Sequence, residues 1–327
     1  MRPSRDDVAK EAGVSSATVS RVINNKGYIS EGTRTKVNKA MDKLGYYPNE
    51  LARSLSKNQS SLIGLIFPSL TNPFQIELIS HLETLLSQEN YKVLICNSQN
   101  NPENEKKYLE MLRRNQVEGV IVNSMNETFM EYNIPELHVV SIDRRINENI
   151  PVISCDNYNG GKQAVQKLID ENCRNILFIG GTNNKRLIDL DADKRYRAYL
   201  DLLDQYKIPP LTLDLDFTLS YAEKYEKIKA FLSQNTFIDG IFSDDTSAVI
   251  ALNIANDLDI SIPEDFKIVG FDGATLTLHQ VPELTTVQQP IKKIAELSAQ
   301  TLLSVINDKE VQSITDLPTK LRLGTTC

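Results

Sequence analysis

The sequence offers little to metal chemistry or to covalent catalysis. Its 327 residues include only three histidines (His81, His138, His279) and four cysteines (Cys96, Cys155, Cys173, Cys327). No histidine stands near another at ligand spacing and no cysteines form a CxxC pair, which excludes a disulfide framework and a zinc site. No Ser-His-Asp or Cys-His grouping is visible, and neither a GxGxxG nor a GxxxxGK[ST] loop is present. Gly180-Gly181 reads as a turn after a strand. No cofactor, no metal and no enzymatic activity are therefore predicted. No stretch approaches the roughly 20 apolar residues that cross a bilayer, and Met1–Asp7 lacks the apolar core of a secretory signal. A cytoplasmic protein without membrane partners is expected.

Net positive charge is also missing: the chain carries −7. That average hides an asymmetry. Residues 1–60 hold 11 Lys/Arg against 6 Asp/Glu, and the remainder holds 25 against 37. A basic head on an acidic body is the footprint of a phosphate-binding module joined to a domain with other work.

Asp6 or Asp7 can open a first helix with Val8, Ala9 and Ala12 on one face, and Gly13 can close it by taking positive φ. Val14 plugs the turn, Ser15 caps a second helix, and Val19, Val22 and Ile23 form that helix's inner face. Two short helices around Gly-Val-Ser predict a helix-turn-helix. The outer face of the second helix carries Ser16, Ala17, Thr18, Ser20, Arg21 and Asn24. Small side chains allow close approach to a major groove, and an arginine can pair bidentately with guanine. A third helix from a Ser30 cap to Gly45 buries the first two and presents Arg34 and Lys36. The segment Asn49–Leu55 follows a Tyr-Tyr-Pro break and is barely two turns long, so in isolation it is marginal as a helix. It needs a partner to form, and DNA is the obvious one.

From Asp7 to Leu55 the strings DVAKEAGVSSATVSRVIN, TRTKVNKAMDKLGYYPN and ARSL resemble the head and hinge of the LacI family of bacterial repressors. The resemblance implies that Ser16, Ala17 and Arg21 read bases. It implies phosphate contacts from Thr18, Ser20, Asn24, Arg34 and the Tyr28–Ser30 turn. It further implies a minor-groove hinge containing Asn49, Ala52 and Arg53, with Leu55 wedged into a central base step. Hinge pairing implies a homodimer on a pseudo-palindromic operator.

Beyond Ser61, apolar runs such as Leu62–Pro68, Lys92–Cys96, Gly119–Val122 and Lys267–Phe271 alternate with helix-period segments. Repeated βα alternation predicts parallel sheets covered by helices on both faces. Ligands in that architecture bind beyond the C-terminal ends of the strands. The polar residues there include Asn72, Ser124, Asp143-Arg144, Asp156-Asn157, Asp244-Asp245 and Asp272. Hydroxyls, carboxylates, one arginine and a stacking aromatic suit a neutral sugar.

The body also resembles the LacI family through SIDR (141–144), DNYNGG (156–161), RYRAY (195–199), FSDD (242–245), IPEDFKIVGFDG (262–273) and LTTVQQP (284–290). The expected fold is a small all-α helix-turn-helix head plus an α/β two-lobed body like that of periplasmic binding proteins. The head spans 1–48, the hinge and linker 49–60, and the effector-binding and dimerisation body 61–327. One lobe covers about 62–159 and 290–318, the other about 160–289 and 319–327. By position, Asp143, Arg195, Phe217, Asp245 and Gln289 are expected in the effector pocket, with Asn72, Phe74 and Ser124 lining the other lobe.

Three positions depart from the family pattern: Asn172-Cys173-Arg174, Ala198 and the acidic pair Asp244-Asp245. The additional acid disfavours a phosphorylated or carboxylated effector unless Arg195 compensates. Within the family, phrases such as NNKGYISE and LIGLIFPSLTNPF point to a repressor of a carbohydrate operon. Sucrose, or its glucose or fructose part, is the effector expected first. The alternatives are a ribose-type branch, or a corepressor protein docking on the helix Glu103–Arg114 with its Lys106, Lys107, Arg113 and Arg114.

Overall fold

The structure is a computed structural model, and it describes residues 3–47, 60–114, 117–124, 132, 137–181, 193–216, 219–279 and 282–327. The chain divides into two compact units, Met1–Ser60 and Ser61–Cys327.

The head consists of α1 (Arg5–Ala12), α2 (Ser16–Asn24) and α3 (Glu31–Leu44). Each helix begins where a serine can accept an orphan backbone N–H. Ser4, Ser15 and Ser30 accept from Asp7, Thr18 and Thr33 respectively. Ser4 and Asp7 complete a reciprocal capping box. Gly13, Asn25 and Gly45 then end the helices in the left-handed region, at φ of 66°, 50° and 59°. The apolar faces meet around Val8, Ala9, Val19, Val22, Val37 and Ala40, with Val14 and Ile23 packed alongside. Lys43 on α3 bonds Glu11 on α1 at 2.6 Å, an exposed pair that adds little beyond the packing.

The body builds two α/β lobes. The first contains β1 (Leu62–Phe67), α4 (Pro73–Gln88), β2 (Lys92–Asn97), α5 (Pro102–Arg114), β3 (Gly119–Val122), β4 (His138–Ile142) and β5 (Val152–Cys155). The second contains α6 (Asn157–Asp170), β6 (Ile176–Gly180), α7 (Asp193–Tyr206), β7 (Leu211–Asp214), α8 (Tyr221–Gln234), β8 (Gly240–Ser243), α9 (Asp245–Asp257), β9 (Lys267–Asp272), α10 (Thr275–Leu278) and β10 (Thr285–Gln288). The chain then returns with α11 (Ile291–Ile306) and β11 (Ile314–Leu317) to the first sheet, and crosses again to β12 (Lys320–Arg322) in the second.

Among the described residues the sheet orders are β11-β5-β4-β3-β1-β2 and β12-β10-β9-β8-β6-β7. Every pairing is parallel except that of β12 with β10. Parallel strands need both faces covered, and each sheet lies between two apolar clusters. The first has Leu78, Leu82 and Ile294 on one face and Leu109 and Leu112 on the other. The second has Leu168 and Tyr199 opposite Ile228 and Ile250. A Cβ on Gly64 of β1 would stand 2.6 Å from the Leu112 side chain, so glycine lets α5 press onto the sheet.

The three crossings, after β5, after β10 and after β11, bring the C-terminal ends of both sheets to the region between the lobes. Among the described residues no helix is long and apolar enough to cross a membrane.

Candidate functional site

The head presents a polar, open face on α2. Ala17 and Arg21 are exposed, while Ser16, Thr18 and Ser20 are half-buried at its margin. Tyr28 is 99% exposed. Several neighbours are already engaged within the head. Asn24 turns its amide back, donating to the Ser20 carbonyl at 2.9 Å and the Ser20 hydroxyl at 3.3 Å. Thr18 Oγ1 pairs with Ser15 Oγ at 2.9 Å, and Ser30 Oγ caps α3 and pairs with Thr33 Oγ1. Arg34 donates to Asn25 Oδ1 at 2.8 Å, which braces the α2–α3 turn. Asn49, Ala52, Arg53 and Leu55, the hinge positions singled out from the sequence, lie outside the described residues. So does Phe217.

In the body, the polar constellation gathers where β9 and β10 end. Arg195 on α7 donates through Nε to Asn157 Oδ1 at 2.7 Å and through Nη1 to Asp272 Oδ1 at 3.4 Å. Its guanidinium lies over the Phe271 ring, 3.6 Å from the centroid, a stacked cation–π contact. Asp272 ends β9 with φ of 128° and also accepts from Gln289 Nε2 at 2.7 Å. The remaining amide oxygen of Gln289 is buried and without a protein partner. A buried acceptor in that state costs free energy until a donor arrives. Burial raises the Asp272 carboxyl, to about 8; the nearby Arg195 opposes that shift, and Asp245 and Asp244 add to it. From the first lobe, Asp143 follows β4 in the left-handed region (φ 57°) and accepts from Ser154 Oγ at 3.1 Å.

Four expected pocket residues have partners of their own within the protein. Asp245 is 1% exposed and faces three protein donors: Gly273 N at 2.8 Å, Thr277 Oγ1 at 2.6 Å and Thr286 Oγ1 at 2.6 Å. Because Asp244 is the cap of α9, Asp245 falls on the first helical position and points back into the β9–α10 turn. It fastens that turn to β10. Phe74 is buried in the first lobe's core beside Leu78. Ser124 is buried, donating to Glu105 at 2.6 Å and accepting from the fully buried Arg144 at 2.8 Å. Asn72 caps α4, accepting from Gln75 N at 3.1 Å. The residues that complete the constellation, Asn157 and Asp272, follow strands in DNYNGG and VGFDG. Their strand-end position was the available signal.

A three-helix head with an open recognition helix, and a two-lobed body with a polar site between strand ends, define the class: a ligand-responsive DNA-binding regulator. The sequence matches the family model "Bacterial regulatory proteins, lacI family" over residues 6–49 and that of the periplasmic binding protein-like domain over 165–327. It is 44% identical to the sucrose operon repressor of Streptococcus mutans over 97% of each chain. It is 42% identical to the sucrose operon repressor of Pediococcus pentosaceus over 100% of each, and 37% identical to the ribose operon repressor of Halalkalibacterium halodurans over 96% and 94%. The chain belongs to the LacI family.

Among solved structures it resembles a periplasmic binding protein/LacI transcriptional regulator from Alkaliphilus metalliredigens complexed with D-xylulofuranose. That match is 30% identical with a TM-score of 0.75, covering 81% of this chain and 98% of that one. The fold is also that of the Lac repressor dimer bound to operator and anti-inducer, with a TM-score of 0.84 at 24% identity over 100% and 99% of the chains.

Proposed function

We propose that this protein is a cytoplasmic, non-enzymatic repressor of a carbohydrate-utilisation operon, released from its operator by a neutral sugar, with sucrose or one of its halves as the first candidate. The observation that carries the reading is the Arg195–Asp272–Gln289 constellation at the strand ends, set in a chain 44% identical to a sucrose operon repressor. Arg195, already opposed by Asp272, donates to sugar hydroxyls; Asp272 and Asp143 accept from them. The Gln289 oxygen gains the donor it lacks, and Asn157 and Phe271 hold Arg195 in place. Binding without turnover is the reading that the chain's similarity to operon repressors supports.

On the head, Ser16, Ala17 and Arg21 read base edges, while Thr18, Ser20, Asn24, Tyr28, Ser30 and Arg34 approach phosphates. Asn49, Ala52, Arg53 and Leu55 form the hinge contacts. Two copies bind a pseudo-palindrome, and affinity falls steeply with salt as counterions are released. Sugar favours a lobe arrangement incompatible with paired hinges, and linkage requires operator to weaken sugar by the same factor.

The test is a titration of fluorescent operator in the presence of a sugar panel, paired with calorimetric sugar titrations with and without operator. One sugar should weaken operator binding, and operator should weaken that sugar equally. If no sugar alters operator affinity and a basic-patch-binding corepressor protein does, the trigger is protein rather than sugar.

A further inference from the structure

Asp6 and Asp7 are neighbours on α1 with different tasks. Asp7 faces the start of its own helix, where its carboxylate accepts from the Ser4 backbone N–H at 2.8 Å and the Ser4 hydroxyl at 2.7 Å. Asp6 instead reaches across the helix-turn-helix, and its Oδ1 accepts the hydroxyl hydrogen of Ser16. Ser16 is the first residue of α2, and Ser15 rather than Ser16 caps that helix. Capping α2 thus makes no demand on the Ser16 hydroxyl, and its one proton is committed to Asp6.

A serine hydroxyl has a single O–H to donate and two lone pairs that accept. With the proton spent on a carboxylate, a charge-assisted bond stronger than a neutral one, Ser16 can only accept from anything that approaches the outer end of α2. In the major groove, donors are restricted to the exocyclic amino groups, N4 of cytosine and N6 of adenine. Guanine and thymine present acceptors there.

We propose that Asp6 is a specificity-determining positioning residue: by holding the Ser16 proton, it makes Ser16 select adenine or cytosine and reject guanine and thymine at the base it faces. The proposal rests on the reading of α2 as the recognition helix. Asp6 needs no base contact of its own to do this. Its charge also repels the phosphates, and that repulsion is the same for every sequence, so the two effects separate.

The experiment is selection of bound duplexes from a randomised pool by the full chain, comparing wild type with Asp6→Ala, Asp6→Asn, Ser16→Ala and the Asp6→Ala/Ser16→Ala double variant. Wild type should enrich adenine or cytosine at one position per half-site, and Ser16→Ala should abolish that enrichment. Asp6→Ala frees the hydroxyl to donate. It should therefore admit guanine or thymine at the same position, changing the base ratio about tenfold, the scale of one good base contact. Asp6→Asn, whose amide oxygen still accepts, should retain the wild-type ratio.

An Asp6→Ala profile that keeps every wild-type ratio while binding all sequences more tightly would show that Asp6 acts only as a charge. A double variant whose preferences differ from Ser16→Ala alone would overturn the route through Ser16. Wild type enriching no sequence would defeat the recognition-helix reading itself, and the proposal with it.

Discussion

Glu77 of α4, in the first lobe, accepts the backbone N–H of Thr275, the first residue of α10 in the second lobe, at 2.7 Å. The cap of α10 is Ala274, which supplies no side-chain bond, so a carboxylate from the opposite lobe satisfies a donor that the local sequence leaves open. Ala274 itself is fully buried in the first lobe's core cluster, with Phe74 and Ile291. A hydrogen bond and an apolar contact therefore fasten the lobes at one point beside the polar constellation.

Removal of that carboxylate should loosen this point alone. In Glu77→Ala, amide exchange of the segment Thr275–Leu278 should accelerate about tenfold or more, in line with the loss of a hydrogen bond to a charged acceptor. Exchange in β7, at the far edge of the second sheet, should not change. Equal protection of Thr275–Leu278 in both proteins would show that Glu77 does not hold the turn.

Arg195 is fixed by three different contacts: a bond to Asn157, a longer one to Asp272 and the face of Phe271. Lysine cannot reproduce a planar fork that stacks and donates in two directions. Arg195→Lys should therefore weaken sugar binding about tenfold or more by calorimetry. Operator affinity without sugar should stay within about twofold, since the head is untouched. A sugar affinity unchanged by the substitution would remove Arg195 from the site.

The expected architecture was largely legible in the sequence. Apolar runs bounded by turn residues marked β1, β3 and β9, because strands buried on both faces are continuously apolar. Ile291, Ile294, Ala295, Ala299 and Leu302, apolar at helical spacing, are the buried face of α11. Edge strands were harder: β7, β11 and β12 carry half-exposed side chains, so their alternation is blurred by Lys320, Asp316 and similar residues. Site residues were legible by position on the strand ends but not by direction. Asp245 lies just beyond β8 and Asp272 ends β9, and only the helix start at Asp245 decides that one carboxylate serves the turn while the other meets Arg195. Ser124 was visible as a polar residue after β3, whereas its burial against Glu105 and Arg144 depends on residues 19 and 20 positions away.

Asp272 carries a pH signature whose sign is fixed by its burial. Its folded pKa is raised to about 8 from an ordinary 3.8, so the folded chain binds the proton more tightly than the unfolded one. Stability from this group is full at low pH and declines as pH rises from about 4 through about 8. Asp272→Asn lacks the titrating group. Urea midpoints of the variant relative to wild type should therefore improve between pH 5 and pH 8.5. A constant difference across that range would mean that Asp272 ionises alike in both states.

Asp245 supplies the sharpest separation between scaffold and site. Its carboxylate is buried and answers one backbone and two hydroxyl donors on the β9–α10 turn and β10, while Gly273 in the same turn sits at φ of 65°, 2.7 Å from Gln288 for any Cβ placed there. Truncation strands the Gly273 N–H and the Thr286 hydroxyl, each worth about 1–3 kcal/mol when unsatisfied, while the Thr277 hydroxyl turns to the Ala274 carbonyl, 2.8 Å away. Water entering the vacated space recovers part of that, leaving a cost of about 3 kcal/mol. For a body of this size that is a fall in Tm of roughly 6–10 °C. Asp245→Asn, which keeps acceptor oxygen toward part of the set, should fall less. At a temperature where both variants are folded, sugar affinity should lie within about threefold of wild type, because Arg195, Asp272 and Gln289 keep their own bonds. A variant that melts like wild type but no longer binds sugar would reverse the assignment, returning Asp245 to the effector site and leaving the turn to hold without it.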